Sequence, residues 1–144
     1  MKRICLVLMI PLVSSLLWVS CKKEPDHITV QHILIAFAGS IPEKTIMRTK
    51  EDAEKLANEI WDRAKKGDDF DALVKEYTDD VYPGVYKMSN FDAETDMDQG
   101  ESPRAKMVKE FGDVSFKLSV NEIGMAEFSP ERSKYGWHII KRLN

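Results

Sequence analysis

Cysteine is almost missing from this chain: Cys5 and Cys21 are the only two in 144 residues. Both lie within the first 21 positions, so everything after them lacks a thiol. That excludes a disulfide framework, a cysteine nucleophile and a thiolate zinc site from the main body of the protein. A basic excess is missing too. Lys2 and Arg3 are the only charged residues before position 22, and the remainder has a net charge of −5, set by 24 acidic residues against 19 basic ones. A mildly acidic body without a basic stripe is a poor nucleic-acid binder, because counterion release from phosphates needs clustered Lys and Arg. Internal repeats and low-complexity segments are absent, and only one long hydrophobic run exists, from Ile4 to Val19.

That run follows Met1-Lys2-Arg3 and ends at Ser20-Cys21 before the charged Lys22-Lys23-Glu24. A short basic start, an apolar stretch and a small residue form the pattern of an export signal. As a retained membrane span the run is short of the roughly 20 apolar residues a bilayer core requires, and Pro11, Ser14 and Ser15 weaken it further. Cys21 directly after Ser20 resembles the bacterial lipobox, whose cysteine is lipidated and becomes the new amino terminus. Trp18 occupies the place where that pattern prefers leucine. The expected organisation is a signal peptide at 1–20, a lipid-attachment cysteine and tether at 21–27, and one domain at 28–144. At this size a single core is the natural outcome.

Within the domain, Ile28 to Phe37 is β-branched and apolar on both faces, as a central buried strand requires. Thr49 with Asp52 three places on signals a helix start; Ala53, Leu56, Ala57, Ile60 and Ala64 recur at helical spacing, and Gly67 supplies the stop. Asp69 caps a shorter helix carrying Phe70, Leu73, Val74 and Tyr77 on one face. From Val81 to Glu101 the chain reads as loop, with a short extended piece at Gly84–Met88. Ser102 as cap and Pro103 at the first helical position predict a third helix through Met107, Val108 and Phe111 that ends at Gly112. Two final strands are predicted at Gly124–Phe128 and Gly136–Leu143, separated by the turn-rich Ser129–Ser133. The order is β-α-α-(β)-α-β-β, an α+β fold. The first and last strands, each apolar on both faces, are expected side by side in the sheet, which brings His32 near His138.

His32-Ile33-Leu34-Ile35 and Gly136-Trp137-His138-Ile139-Ile140-Lys141 resemble the opening and closing strands of a parvulin (PpiC-type) domain, the peptidyl-prolyl cis/trans isomerase family. Asp79-Asp80 after the second helix, Met107-Val108-Lys109-Glu110-Phe111, and Val120-Asn121-Glu122-Ile123-Gly124 match further family segments in the family order. The resemblance covers about residues 28–143. It implies a small, mostly antiparallel central sheet of about four strands surrounded by three to four helices.

Carried over by position, the resemblance assigns catalytic places to His32, Asp80 and His138. Met107 and Phe111 would form the apolar cup for a proline ring, with Phe116 lining or supporting it, and Tyr86 and Ser133 beside it. Tyr86 stands where leucine is common in the family, and Tyr135 lies near the polar rim. Members that select phosphorylated Ser-Pro or Thr-Pro carry a basic cluster after the first strand, where this chain has Ala36-Phe37-Ala38. The acidic stretch Phe91–Glu101 is longer than the family pattern and stands to repel acidic peptides or favour basic ones. Its glycine is out of place for a calcium-binding loop and the closing glutamate is missing, so a solvated loop is expected.

The implied activity is rotation of an X-Pro bond in exported proteins. That reaction transfers no proton and needs no metal or cofactor, so the histidines are read as organisers of a hydrogen-bond network. Expected partners are proline-containing polypeptides and, through Cys21, a membrane on the periplasmic or cell-surface side; the protein is expected to be a monomer. The main alternative is a peptide-binding chaperone that keeps the groove without catalysis, and a third is an anchored binding module. Taken alone, Met107, Val108 and Phe111 at helical spacing read as plain core.

Overall fold

The computed structural model describes residues 23–144. The signal peptide and lipid-attachment cysteine expected at positions 1–21 lie outside the described residues. In chain order the elements are β1 (His27–Ile35), α1 (Lys50–Lys66), α2 (Phe70–Tyr77), β2 (Val85–Ser89), β3 (Glu101–Pro103), α3 (Lys109–Lys117), β4 (Ile123–Ala126) and β5 (Trp137–Arg142). The strands form one sheet in the order β3-β2-β1-β5-β4. All neighbours are antiparallel except β2 and β3, which run parallel. The sheet thus has five strands where about four were expected.

The first two helices begin and end where local chemistry dictates. Thr49 accepts a hydrogen bond from the Asp52 N–H at the start of α1, and Gly67, at φ +102°, closes it in the left-handed conformation that glycine adopts without strain. Asp69 caps α2 by accepting from the Ala72 N–H at 2.8 Å. Both helices pack their apolar faces on one side of the sheet, where Ile33, Ile35, Trp137 and Ile139 meet Ala57, Ile60, Leu73 and Val74. On the other side, Ile28, Val30, Met88 and Ile140 meet Phe111 and Phe116 of α3. Covering both faces is why β1 is buried along almost its whole length. Among the described residues, both cores are built from positions between Ile28 and Ile140.

The third helix starts later than its sequence signals suggest. Ser102 and Pro103 lie in β3, pairing with Met88 and Ser89, and a short 3-10 turn at Arg104–Lys106 follows. The helix then runs from Lys109 to Lys117 with no side-chain cap, and Gly112 sits inside it. A Cβ at Gly112 would come within 3.1 Å of the Arg104 Cγ, so this glycine makes room for the arginine stem.

Arg104 itself is buried. Its guanidinium lies between the Phe91 and Phe116 rings, at 4.6 and 4.8 Å from their centroids. It donates to Glu24 at 2.6 Å, to the Asn90 Oδ1 at 3.0 Å and to Asp113 at 2.8 Å. The start of the described chain, the loop after β2 and α3 are therefore held by one side chain. Burial acts to raise the Asp113 pKa, but hydrogen bonds from Arg104 and Arg132, with the Lys109 charge nearby, hold it below the ordinary carboxylate value.

Candidate functional site

Antiparallel pairing sets Leu34 opposite His138 and His32 opposite Ile140. The two histidines are therefore diagonal neighbours on the α3 side of the sheet, where alternate residues of each strand point the same way. Their rings lie nearly parallel, at 13° with centroids 5.3 Å apart, and the two Nδ1 atoms are 3.2 Å apart. Both rings are buried. The His32 Nε2 lies 2.9 Å from the Asp80 Oδ2, and the Tyr86 hydroxyl donates to that same oxygen at 2.7 Å.

Protons can be assigned along this line. Hydrogen bonds from His32 and then Tyr86 outweigh partial burial and hold Asp80 far below the ordinary carboxylate range, so it is an anion that only accepts. Burial, reinforced by the neighbouring His32, pushes His138 down to about 3, so it is neutral near pH 7. Because Asp80 only accepts, the His32 Nε2–H donates to it, and the Nδ1–Nδ1 contact holds one proton between the two rings. The remaining His138 Nε2 is buried without a partner.

Backbone bonds fix the loop that delivers Asp80. The Asp79 N–H donates to the Leu34 carbonyl at 2.8 Å, and the Thr78 hydroxyl accepts from Leu34 and Asp80 N–H groups at 3.1 and 3.2 Å. The Asp79 carboxylate accepts from the Ala36 N–H at 2.8 Å and from Arg48. Gly84, at φ +65°, accepts from the His32 N–H at 2.9 Å, and a Cβ there would lie 2.5 Å from the His32 carbonyl oxygen. Only glycine permits that approach.

Above the polar line lies a cleft of about 370 Å³. His32, Asp80, Tyr86 and His138 line its floor; Met107, Val108 and Phe111 form an apolar wall, and Leu34, Ile41 and Tyr135 line it too. Phe111 meets the His32 ring at 5.0 Å and the Tyr86 ring at 5.8 Å, both edge to face. The Tyr86 ring stands edge-on to His32 at 5.1 Å. Burial first, and then the Asp80 anion, push its hydroxyl up to about 12, so it stays a donor through the neutral and mildly alkaline range. The arrangement presents an apolar wall facing a fixed anion and its relayed donors. Among the described residues, no group of three or more His, Cys, Asp or Glu side chains is disposed to hold a metal ion.

The family model of the PpiC-type PPIase (peptidyl-prolyl isomerase) domain matches residues 15–144. The chain belongs to this family. Over 88 residues it is 39% identical to the foldase protein PrsA of Caldanaerobacter subterraneus subsp. tengcongensis, covering 61% of this chain and 24% of that protein. Over 122 residues it is 30% identical to the chaperone SurA of Pseudomonas fluorescens, covering 82% of this chain and 23% of that protein. The chain thus spans about a quarter of the length of these curated relatives. Among solved structures, PrsA from Bacillus subtilis superposes with a TM-score of 0.51 at 25% identity, over 83% of this chain and 35% of that one. The solution structure of TbPIN1 shares the fold, with a TM-score of 0.60 at 23% identity over 83% of this chain and 98% of that one.

Within this PpiC-type domain not every expected site residue reaches the cleft. Phe116 is buried in the α3 core against Arg104, so it supports the wall from behind and does not line it. Ser133 is buried in the turn before β5, donating to the Gly136 carbonyl at 2.9 Å, and it shapes that turn without facing the cleft. The acidic stretch lies at the far edge of the sheet, where Glu101 meets His27 at 3.0 Å, and contributes nothing to the cleft lining. Lys44 and Arg48, near the place of the family's phosphate-binding cluster, are engaged with Asp79: Lys44 donates to its carbonyl and Arg48 to its carboxylate. Sequence reasoning missed Val108 and Ile41 as wall residues and the hydroxyl bond from Tyr86 to Asp80. A tyrosine in place of leucine, on a strand beside the polar loop, was the available signal.

Proposed function

We propose that the protein is a peptidyl-prolyl cis/trans isomerase acting on unfolded or partly folded exported polypeptides. The observation that carries this reading is the single cleft in which the Met107–Phe111 wall faces the Asp80–His32–His138 line. Twisting an X-Pro amide costs ~18–20 kcal/mol of lost resonance, while the end states differ by about 0.5–1 kcal/mol. A catalyst needs only to prefer the twisted form, about 1.4 kcal/mol for each decade of rate. An apolar wall grips the proline ring by shape and leaves the charge-separated planar amide poorly solvated. The fixed Asp80 anion and its donors set the field around the carbonyl. No bond breaks and no proton leaves.

His32, Asp80 and His138 are accordingly read as the polar network of catalysis, and Met107, Phe111 and Tyr86 as substrate-contacting groups. Phe116 and Ser133 hold the wall and the adjoining turn. Residues 1–20 are read as an export signal and Cys21 as the site of lipid attachment, which would place a monomer on the outer side of a membrane; the apolar run from Ile4 to Val19 and Ser20-Cys21 support this. Exchange spectroscopy on X-Pro peptides with a soluble form comprising residues 22–144 tests the activity. Folded protein that accelerates no exchange sinks the enzyme reading and favours a peptide-binding chaperone, a reading encouraged by the likeness to SurA.

A further inference from the structure

A second groove, of about 550 Å³, opens beside the cleft on the other side of Glu43 and Tyr135. Those two residues line both depressions, so the surfaces are continuous. Phe37 and Phe128 form part of the second groove, set edge to face at 5.0 Å and backed by the buried Trp137, whose ring is 5.5 Å from that of Phe128. Both phenylalanines are only half-buried. Pro42 and Pro130 stand exposed at its sides. Both rings pack on the core beneath them, and the Lys50 Nζ lies 5.7 Å from the Phe128 centroid, but each keeps part of its apolar surface open to the groove.

The groove is also held in shape. The Ser40 hydroxyl accepts from the Phe37 N–H at 3.1 Å and donates to the Tyr135 carbonyl at 2.9 Å. This bridges the loop after β1 to the turn before β5, so the groove walls are fixed before anything binds. Pre-formed walls lower the ordering cost of binding an apolar side chain.

We infer that this groove is a second subsite for the same polypeptide whose proline occupies the cleft, taking a large apolar side chain a few residues away along the chain. This rests on the isomerase reading for the first site and adds a requirement on the client: a proline followed or preceded at short range by an apolar residue, as in the core-forming segments of an unfolded protein. Continuity through Glu43 and Tyr135 lets one extended segment lie across both. An unfolded client then binds by two contacts, and a folded one, with its apolar residues buried, by one at most.

The test uses residues 22–144 and pairs of proline peptides that differ only in having Leu or Ser about two to six residues from the proline, since extended chain advances ~3.3–3.6 Å per residue. Amide shifts are followed during titration, and isomerisation is measured in the same samples. Both peptides are expected to perturb amides around Met107 and Asp80. Only the leucine peptide is expected to perturb Phe37, Ser40 and Phe128, with affinity about tenfold tighter at the best spacing. Phe128→Ser should bring that ratio to about one, and the shift map of the unmodified protein keeps the test valid if the variant folds poorly. Equal affinities at every spacing, with shifts confined to the cleft, overturn the subsite even if both peptides are isomerised. A leucine peptide that fills both places without being isomerised sinks the enzyme reading and leaves the subsite standing, and peptides that do not bind at all overturn both.

Discussion

His138 and His32 share one hydrogen bond between like atoms, Nδ1 to Nδ1 at 3.2 Å, across the two central strands of the sheet. A bond between two ring nitrogens needs a proton on one and a lone pair on the other. The Asp80 anion only accepts, so the His32 Nε2–H points outward to it while the His32 Nδ1 faces His138. The chain of polarity therefore runs from the core outward to a carboxylate at the cleft.

Stability should fall on acidification before ordinary carboxylates titrate. His138 is depressed from 6.5 to about 3 in the folded protein, so between these values the unfolded chain binds a proton that the folded one refuses. Its contribution is complete above 6.5 and is lost as pH falls toward 3, by up to ~1.4 kcal/mol per pH unit. Asp80, also depressed, adds a loss of the same sign below 3.8. Urea unfolding across this window checks it, and His138→Gln should flatten the histidine part of the slope.

Tyr86→Phe keeps the ring edge against His32 and removes one hydrogen bond to Asp80. The half-exposed site limits the loss to roughly 1 kcal/mol. The Asp80 carboxyl should titrate higher than in the parent protein while remaining below the free value, because the His32 bond is retained. Carbon-detected titration of the Asp80 carboxyl reads this directly; an unmoved titration would mean that Tyr86 does not bind it.

The wall residues separate binding from folding. Met107 lines the cleft and is only partly buried, so Met107→Ala should lower kcat/KM on X-Pro peptides by about 10- to 100-fold with little change in stability. Phe111 is also core, and Phe111→Ala should cost about 3–5 kcal/mol. Phe111→Leu is the cleaner probe of the proline contact. Chemical denaturation beside the exchange assay tells the two effects apart.

Arg104→Leu should cost about 3–5 kcal/mol, because it leaves Asp113 and Glu24 without their shared cation and removes a plane stacked between two rings. Arg104→Lys should recover only part of this, since an ammonium has no planar fork to reach Glu24, Asn90 and Asp113 together. Glu24→Gln should be far milder and confined to the amino-terminal segment. Hydrogen exchange at residues 90–93 and in α3 distinguishes the three.

Gly84→Ala tests how tightly the chain entering β2 is closed over β1. Its Cβ would collide with the His32 carbonyl oxygen, a backbone atom that cannot step aside, and φ +65° is strained for alanine. We expect a loss above about 1 kcal/mol and a broken His32 N–H to Gly84 bond, seen as faster exchange of the His32 amide.

The sequence by itself determined what depends on neighbours along the chain. Thr49, Gly67 and Asp69 set the ends of the first two helices through bonds spanning only a few residues. The two-sided apolar character of β1 and β5 also forecast that they would be central and adjacent, and with that the meeting of His32 and His138. Tertiary structure decided whatever depended on distant partners. Ser102-Pro103 carries a sound local helix signal, yet parallel pairing with Met88 and Ser89 draws it into β3, and the helix waits until Lys109. Gly112 looks like a stop but is retained inside α3, because the Arg104 stem, eight residues earlier in sequence, passes where its side chain would be. Tyr86 reads as a departure from a leucine position and becomes a donor to Asp80 only once β2 has paired with β1. Backbone pairing and burial across the sheet outweigh a local preference worth about 1 kcal/mol, so those features stayed hidden until the chain folded.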